Sequence, residues 1–110
     1  GWAAGRGMGT AAGNTFIGAQ AGRGTTSGGL NTALGERAGF TNTTGNNNLF
    51  LGNRADAASG TLNNATAIGY LASVTANDNM VFGNSSVIGW GFGTAPTAGN
   101  AIVVGSTSAN

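Results

Sequence analysis

Asn14-Thr-Phe-Ile-Gly-Ala-Gln-Ala-Gly22 and Asn31-Thr-Ala-Leu-Gly-Glu-Arg-Ala-Gly39 are two spellings of one block, 17 positions apart. Asn-Thr, two apolar residues, Gly and Ala-Gly return at the same phase, while the residues between them vary. A fixed interval of this kind is the mark of a repeat architecture, in which each copy contributes one structural unit to a stack.

The Gly that follows the aliphatic residue is the fixed point. Gly18, Gly35, Gly52 and Gly69 are each 17 residues apart, and Gly1 lies one interval earlier. Three residues after each stands Ala4, Ala21, Ala38, Ala55 and Ala72. The next position is Gly5, Gly22 and Gly39, then Asp56 and Ser73. Four before the fixed point stand Asn14, Asn31 and Asn48, with Ala65 as the departure. A related block, Asn79-Met-Val-Phe-Gly83, follows after a shorter interval of 14.

Seventeen residues are too few for a helix pair, which needs roughly 33 or more. They suit one coil of a β-solenoid, in which strands of successive coils pair in parallel about 4.8 Å apart. Gly, Thr and Asn at this density are poor helix formers. The predicted fold is therefore all-β, a parallel β-solenoid of 17-residue coils. With Pro96 the one proline, Gly, Asn and Ser must make the turns, and Thr25–Gly28, Asn42–Gly45 and Ser59–Leu62 fall at matching phases.

Strand side chains alternate faces. The uniformly large set Ile17, Leu34, Leu51, Ile68 and Phe82 is predicted to fill the coil. The set one residue earlier, Phe16, Ala33, Phe50, Ala67 and Val81, then points the other way. Its alternation of large and small leaves slots for Phe rings of another chain, so it is predicted to form inter-chain packing.

Composition supports a shared core. Leu, Ile, Val and Phe make 20 of 110 residues, little for a packed globule. Disorder would also need high net charge, and the formal charge is +1. Four Arg and no Lys make no basic stripe, so nucleic acid is not an expected partner. No stretch approaches the length and apolarity of a membrane span, so no membrane insertion is expected.

Catalytic chemistry is not expected either. With no His and no Cys, the imidazole base, the common triads and most zinc sites are missing from the sequence. Glu36, Asp56 and Asp78 fall at different repeat phases. No Gly-rich stretch has the third Gly of a dinucleotide fingerprint. No catalytic residue, cofactor or metal is assigned.

Three surface features are candidates for ligand contact. Arg37 and Arg54 share one phase, and Arg6 and Arg23 share another; stacked guanidinium groups could grip anionic sugars, or simply lie solvated beside Glu36 and Asp56. Trp90 and Phe92 follow the last repeat and could stack on a sugar ring or cap the open end of the stack. Thr10, Ser27, Thr44 and Thr61 share a phase, and such a hydroxyl column could order water as an ice-binding surface or serve in ordinary turns.

The block Asn-Thr-aliphatic-aliphatic-Gly-x-x-Ala-Gly, with its Thr-Gly turns, resembles the head repeats of trimeric autotransporter adhesins. Ala65-Thr-Ala-Ile-Gly69 is the copy nearest to their form. It resembles more closely the repeat tracts of phage tail fibres that end in a self-cleaving chaperone domain, and residues 84–106 are similar to the segment preceding that domain. The resemblance implies a homotrimer of left-handed β-rolls in an extended fibre on a virion surface or otherwise outside the cell. The implied task is attachment to a host-cell glycan or envelope receptor. Residues 1–83 would be the repeat β-roll and 84–110 a capping or connecting segment. A bacterial surface adhesin or extracellular filament subunit is the alternative on the same fold, and an ice-binding protein the alternative of another kind. The 17-residue period is longer than that of the adhesin heads, and no chaperone domain lies within these residues.

Overall fold

Each copy of the repeated block forms a short strand at the same place. The computed structural model describes residues 1–87 and 89–93 and the backbone of 101–104. Strands β1 (Thr15–Ile17), β2 (Thr32–Leu34) and β3 (Leu49–Leu51) are followed by β4 (Asp56–Ala57), β5 (Thr66–Ile68), β6 (Ser73–Val74) and β7 (Met80–Phe82). Two further strands, β8 (Gly89–Phe92) and β9 (Ala101–Val104), complete the chain order. The described residues contain no helix. The fold is an all-β, parallel β-solenoid.

The main sheet runs β1-β2-β3-β5-β7, every pair parallel. Ile17 pairs with Leu34, Leu34 with Leu51 and Leu51 with Ile68. Ile68 then pairs with Phe82 across the shorter interval. A second sheet pairs β4 with β6, placing Asp56 beside Ser73 and Ala57 beside Val74. The third pairs β8 with β9 in parallel.

The recurring Gly has two physical causes. Gly18, Gly35, Gly52 and Gly69 hold φ of 127°, 132°, 129° and 115°, a region that L side chains rarely enter. They also stack backbone on backbone: a Cβ on Gly35 would stand 2.6 Å from the carbonyl carbon of Gly52. Each Gly carbonyl accepts the N–H of the Ala three residues on, as in Ala38 N to Gly35 O at 3.2 Å. Between them Ala3, Gln20, Arg37, Arg54 and Leu71 sit at φ of 56° to 59°. This left-handed residue turns the corner and repeats on every rung.

The two faces of the strand are exchanged relative to the expectation from residue size. Ala33, Phe50 and Ala67 lie buried inside the coil with Ala21, Ala38, Ala55, Ala57, Ala65, Ala72 and Val74, and Phe16 and Val81 pack against that core. Ile17, Leu34, Leu51 and Phe82 face outward, 56, 42, 37 and 40 % exposed, and Ile68 is half-buried. The reason is the width of the coil. Phe16 and Phe50 fit only because Gly stands opposite; a Cβ on Gly22 would strike the Phe16 ring, and one on Gly39 would lie 2.7 Å from Phe50. The rungs beside Phe50 carry Ala33 and Ala67, which yield the space its ring needs. An uninterrupted column of Ile and Leu could not be accommodated there. Large-small alternation marks a cramped interior, and the uniformly large column stays outside.

A polar column runs along the start of the main sheet, where Asn14, Asn31 and Asn48 stand directly before β1, β2 and β3. The Asn31 N–H donates to Asn14 Oδ1 at 2.8 Å, the Asn48 N–H to Asn31 Oδ1 at 2.9 Å, and the Ala65 N–H to Asn48 Oδ1 at 2.9 Å. Each amide also donates from Nδ2: Asn14 to Gly28 O, Asn31 to Gly45 O and Asn48 to Leu62 O. The side chain thus ties its rung to the next and fixes the turn. Asn31 and Asn48 are buried, and no buried side-chain polar atom among the described residues lacks a partner. The ladder ends at Ala65, whose N–H donates to Asn48 but whose side chain offers the next rung no acceptor.

Candidate functional site

The outer face of the main sheet carries the first candidate surface. The middle residue of each three-residue strand points inward, so the flanking residues point out. Thr15 and Ile17, Thr32 and Leu34, Leu49 and Leu51, Thr66 and Ile68, and Met80 and Phe82 therefore line one face in register. Ile17, Leu34, Leu51, Ile68 and Phe82 form a continuous apolar column along the stack. Scattered exposed apolar residues are ordinary on a folded chain; a contiguous run of this kind is a candidate interaction surface. The role foreseen for Phe16, Ala33, Phe50, Ala67 and Val81 as inter-chain contacts is lost, since those side chains fill their own coil.

A second surface forms at the left-handed corner. Arg37 and Arg54 occupy this corner on successive rungs, and each backbone N–H is held by the rung before: Arg37 N to Ala19 O at 2.9 Å and Arg54 N to Glu36 O at 2.8 Å. Arg37 Nε donates to Gln20 Oε1 at 3.0 Å, the preceding residue of the same column. Three positions on, the neighbouring column reads Arg6, Arg23, Phe40 and Ala57, so Phe40 stands where earlier rungs place Arg. The guanidinium carbons of Arg23 and Arg37 lie 5.6 and 5.3 Å from the Phe40 ring centroid, within cation–π range. Arg37, Phe40, Arg54 and Asp56 line an open pocket of about 230 Å³.

Asp56 turns its carboxylate to the backbone. Oδ1 and Oδ2 accept the Thr41 N–H at 3.1 and 2.9 Å, and Oδ1 also accepts the Ala57 N–H at 2.8 Å. Burial pushes its carboxyl above the usual value of 3.8, although the hydrogen bonds from Thr41 and Ala57 pull the other way. Asp56 occupies the position that is Gly on the rungs before.

The remaining candidates separate. Trp90 packs edge-on against Phe82 with centroids 5.2 Å apart, at the last strand of the main sheet, while Phe92 is 57 % exposed. Thr10, Ser27, Thr44 and Thr61 are exposed. Of the part of the 84–110 segment outside the strands, residues 88, 94–100 and 105–110 lie outside the described residues. Asn42, at an Asn-Thr-Thr motif, is buried and donates to Gly45 O at 3.2 Å.

Sequence reasoning paired Arg37 with Arg54, put Arg23 in a separate ladder with Arg6 and named Asp56 as a neighbour, but missed Phe40 as the ring that joins Arg23 to Arg37. The signal was present: Phe40 falls in the column of Arg6 and Arg23. Among the described residues no group of three or more His, Cys, Asp or Glu could hold a metal ion, and no helix is long and apolar enough to cross a membrane. Neither a protein-family model, nor a curated protein, nor a solved structure matches this chain.

Proposed function

We propose that the chain is a structural and attachment segment of an extended homotrimeric fibre, built from left-handed coils of 17 residues and working outside the cell. The reading we favour is a phage tail fibre that contacts a host-surface glycan or envelope receptor; a bacterial adhesin or filament subunit would use the same device. Residues 1–83 supply the stack, and 84–110 cap it or lead onward. Function then comes from rigidity and repeated display rather than catalysis.

The observation that carries this reading is the outward column Ile17, Leu34, Leu51, Ile68 and Phe82. It runs the length of the main sheet, in register, on a body measuring 56 × 25 × 21 Å. Burying that column between copies adds the apolar contact that the thin interior lacks. Parallel stacking keeps the column straight, so copies placed side by side meet along their whole length. The sparse charge leaves little repulsion to oppose this.

Light scattering on the eluting protein tests it. The expected mass is about three times the 10.6 kDa of the chain. Leu34→Gln with Leu51→Gln removes two central members of the column without touching the coil interior, and should yield a folded monomer. A wild-type chain that elutes as a folded monomer, or a double variant that keeps the wild-type mass, would contradict the reading.

A further inference from the structure

The basic residues of this chain are its four arginines; Arg37 and Arg54 line one pocket, and Arg23 lies against the Phe40 ring of that pocket. Arg23 and Arg37 are held against Phe40, and Arg54 lines the same pocket one rung further along. The sole acidic lining residue, Asp56, directs its oxygens to the N–H groups of Thr41 and Ala57. Among the described residues, Arg37 makes one side-chain hydrogen bond, through Nε, and the side chains of Arg23 and Arg54 make none. Two guanidinium groups, those of Arg37 and Arg54, therefore line one pocket with all their side-chain donors free except Arg37 Nε.

We infer that this corner binds an acidic saccharide unit, its oxyanion held by Arg37 and Arg54 and its hydroxyls meeting Asp56. Guanidinium forks match carboxylate, sulfate and phosphate oxygens in paired hydrogen bonds. Phe40 fixes the Arg37 fork by cation–π contact, so less side-chain entropy is lost when an anion arrives. A bare inorganic anion would use the arginines alone. Asp56 repels that anion, and its unused lone pairs accept hydroxyl groups instead. A ligand carrying both an oxyanion and hydroxyls satisfies both sides. The pocket is open and smaller than the roughly 300–1,000 Å³ of sites that enclose drug-sized molecules, in keeping with one sugar unit of a longer chain.

The inference deepens the attachment reading and rests on it. Calorimetric titration of the assembled protein tests it, with a trigalacturonate, a sulfated disaccharide and a hexose 6-phosphate as probes. Maltotriose, sulfate and inorganic phosphate are the controls. At least one acidic sugar should bind at least about tenfold tighter than every control, and the three probes distinguish a carboxylate, sulfate or phosphate ester as the anion. Arg37→Gln and Arg54→Gln should each weaken binding about tenfold, Phe40→Leu should weaken it with the thermal midpoint little changed, and Arg6→Gln should leave it unaltered. Equal binding of maltotriose, no saturable binding of any acidic probe up to about 10 mM, or equal losses for Arg6→Gln and Arg54→Gln would overturn it. If the trimer forms and no acidic sugar binds, this site falls and the fibre reading stands. If acidic sugars bind a chain that stays monomeric, the fibre reading falls and the site stands.

Discussion

The backbone N–H of Asn48 donates to the side-chain Oδ1 of Asn31, 2.9 Å away and 17 residues earlier. The amide nitrogen of that same Asn31 side chain donates to Gly45 O at 2.9 Å. One buried side chain thus joins two successive rungs and a turn. Replacing Asn31 by Ala leaves the buried Asn48 N–H without its acceptor, while the Gly45 carbonyl keeps the bond from Asn42. The expected cost is about 2–4 kcal/mol, read as a lowered denaturant midpoint. Asn46, exposed in a similar ladder to Gly29 and Asn63, should tolerate Ala with a loss below about 1 kcal/mol, because water replaces its partners.

The glycine column predicts a sharper penalty. Gly35→Ala places a Cβ against the Gly52 backbone at a φ of 132°. Neither partner is a flexible side chain, so the rungs must separate. A loss of about 2–4 kcal/mol is expected by chemical denaturation. Leu71→Gly, at a left-handed corner with φ of 56°, relieves strain instead and should leave stability unchanged or slightly raised.

The exchange of strand faces separates two adjacent residues. Phe50 is 1 % exposed and Leu51 37 %. Phe50→Ala empties the interior and should cost about 3–5 kcal/mol in the folded chain. Leu51→Ala should cost far less in a monomeric background, such as the Leu34→Gln chain if that variant dissociates, and should act mainly on assembly. Comparable losses of monomer stability for the two would contradict the assignment of faces.

Asp56 gives a pH signature. Its carboxyl holds a proton more firmly in the folded chain than in the unfolded one, because burial disfavours the charge. The folded state therefore gains relative stability as pH falls through the folded value, fully realised below the unfolded value near 3.8. Above the folded value that contribution is absent. Wild type compared with Asp56→Asn should show a stability difference that shifts in favour of wild type on acidification from pH 7, measured by thermal unfolding. A difference that moves the other way would indicate that the Thr41 and Ala57 hydrogen bonds outweigh burial.

The rung was legible in the residues themselves. Gly18, Gly35, Gly52 and Gly69 announce their spacing because backbone contact and positive φ both refuse a side chain. The turns at Thr25, Asn42 and Ser59 follow from the same period. The direction of the strand faces was not legible from residue size, because Ile17 and Phe16 are both large and adjacent. What decides between them is the clearance opposite, supplied by Gly22 and Gly39 from elsewhere in the repeat. Asn14, Asn31 and Asn48 were visible as a recurrence, but their role required knowing that a rung ends within reach of the next N–H. Arg37 and Arg54 were paired by phase, whereas Phe40 differs in kind from Arg6 and Arg23 and shares only their column.

Cysteine cross-linking tests the stacked rungs most directly, since the chain has no Cys of its own. Thr32 and Leu49 are register partners on the outward face, at a strand spacing that a disulfide spans. The double variant Thr32→Cys, Leu49→Cys should close an intramolecular disulfide under mild oxidation, seen as a mobility shift that reductant reverses. Thr32→Cys with Phe50→Cys, whose side chains point to opposite faces, should not close. Failure of the first pair, or equal closure of both, would contradict the parallel stack and its assignment of faces.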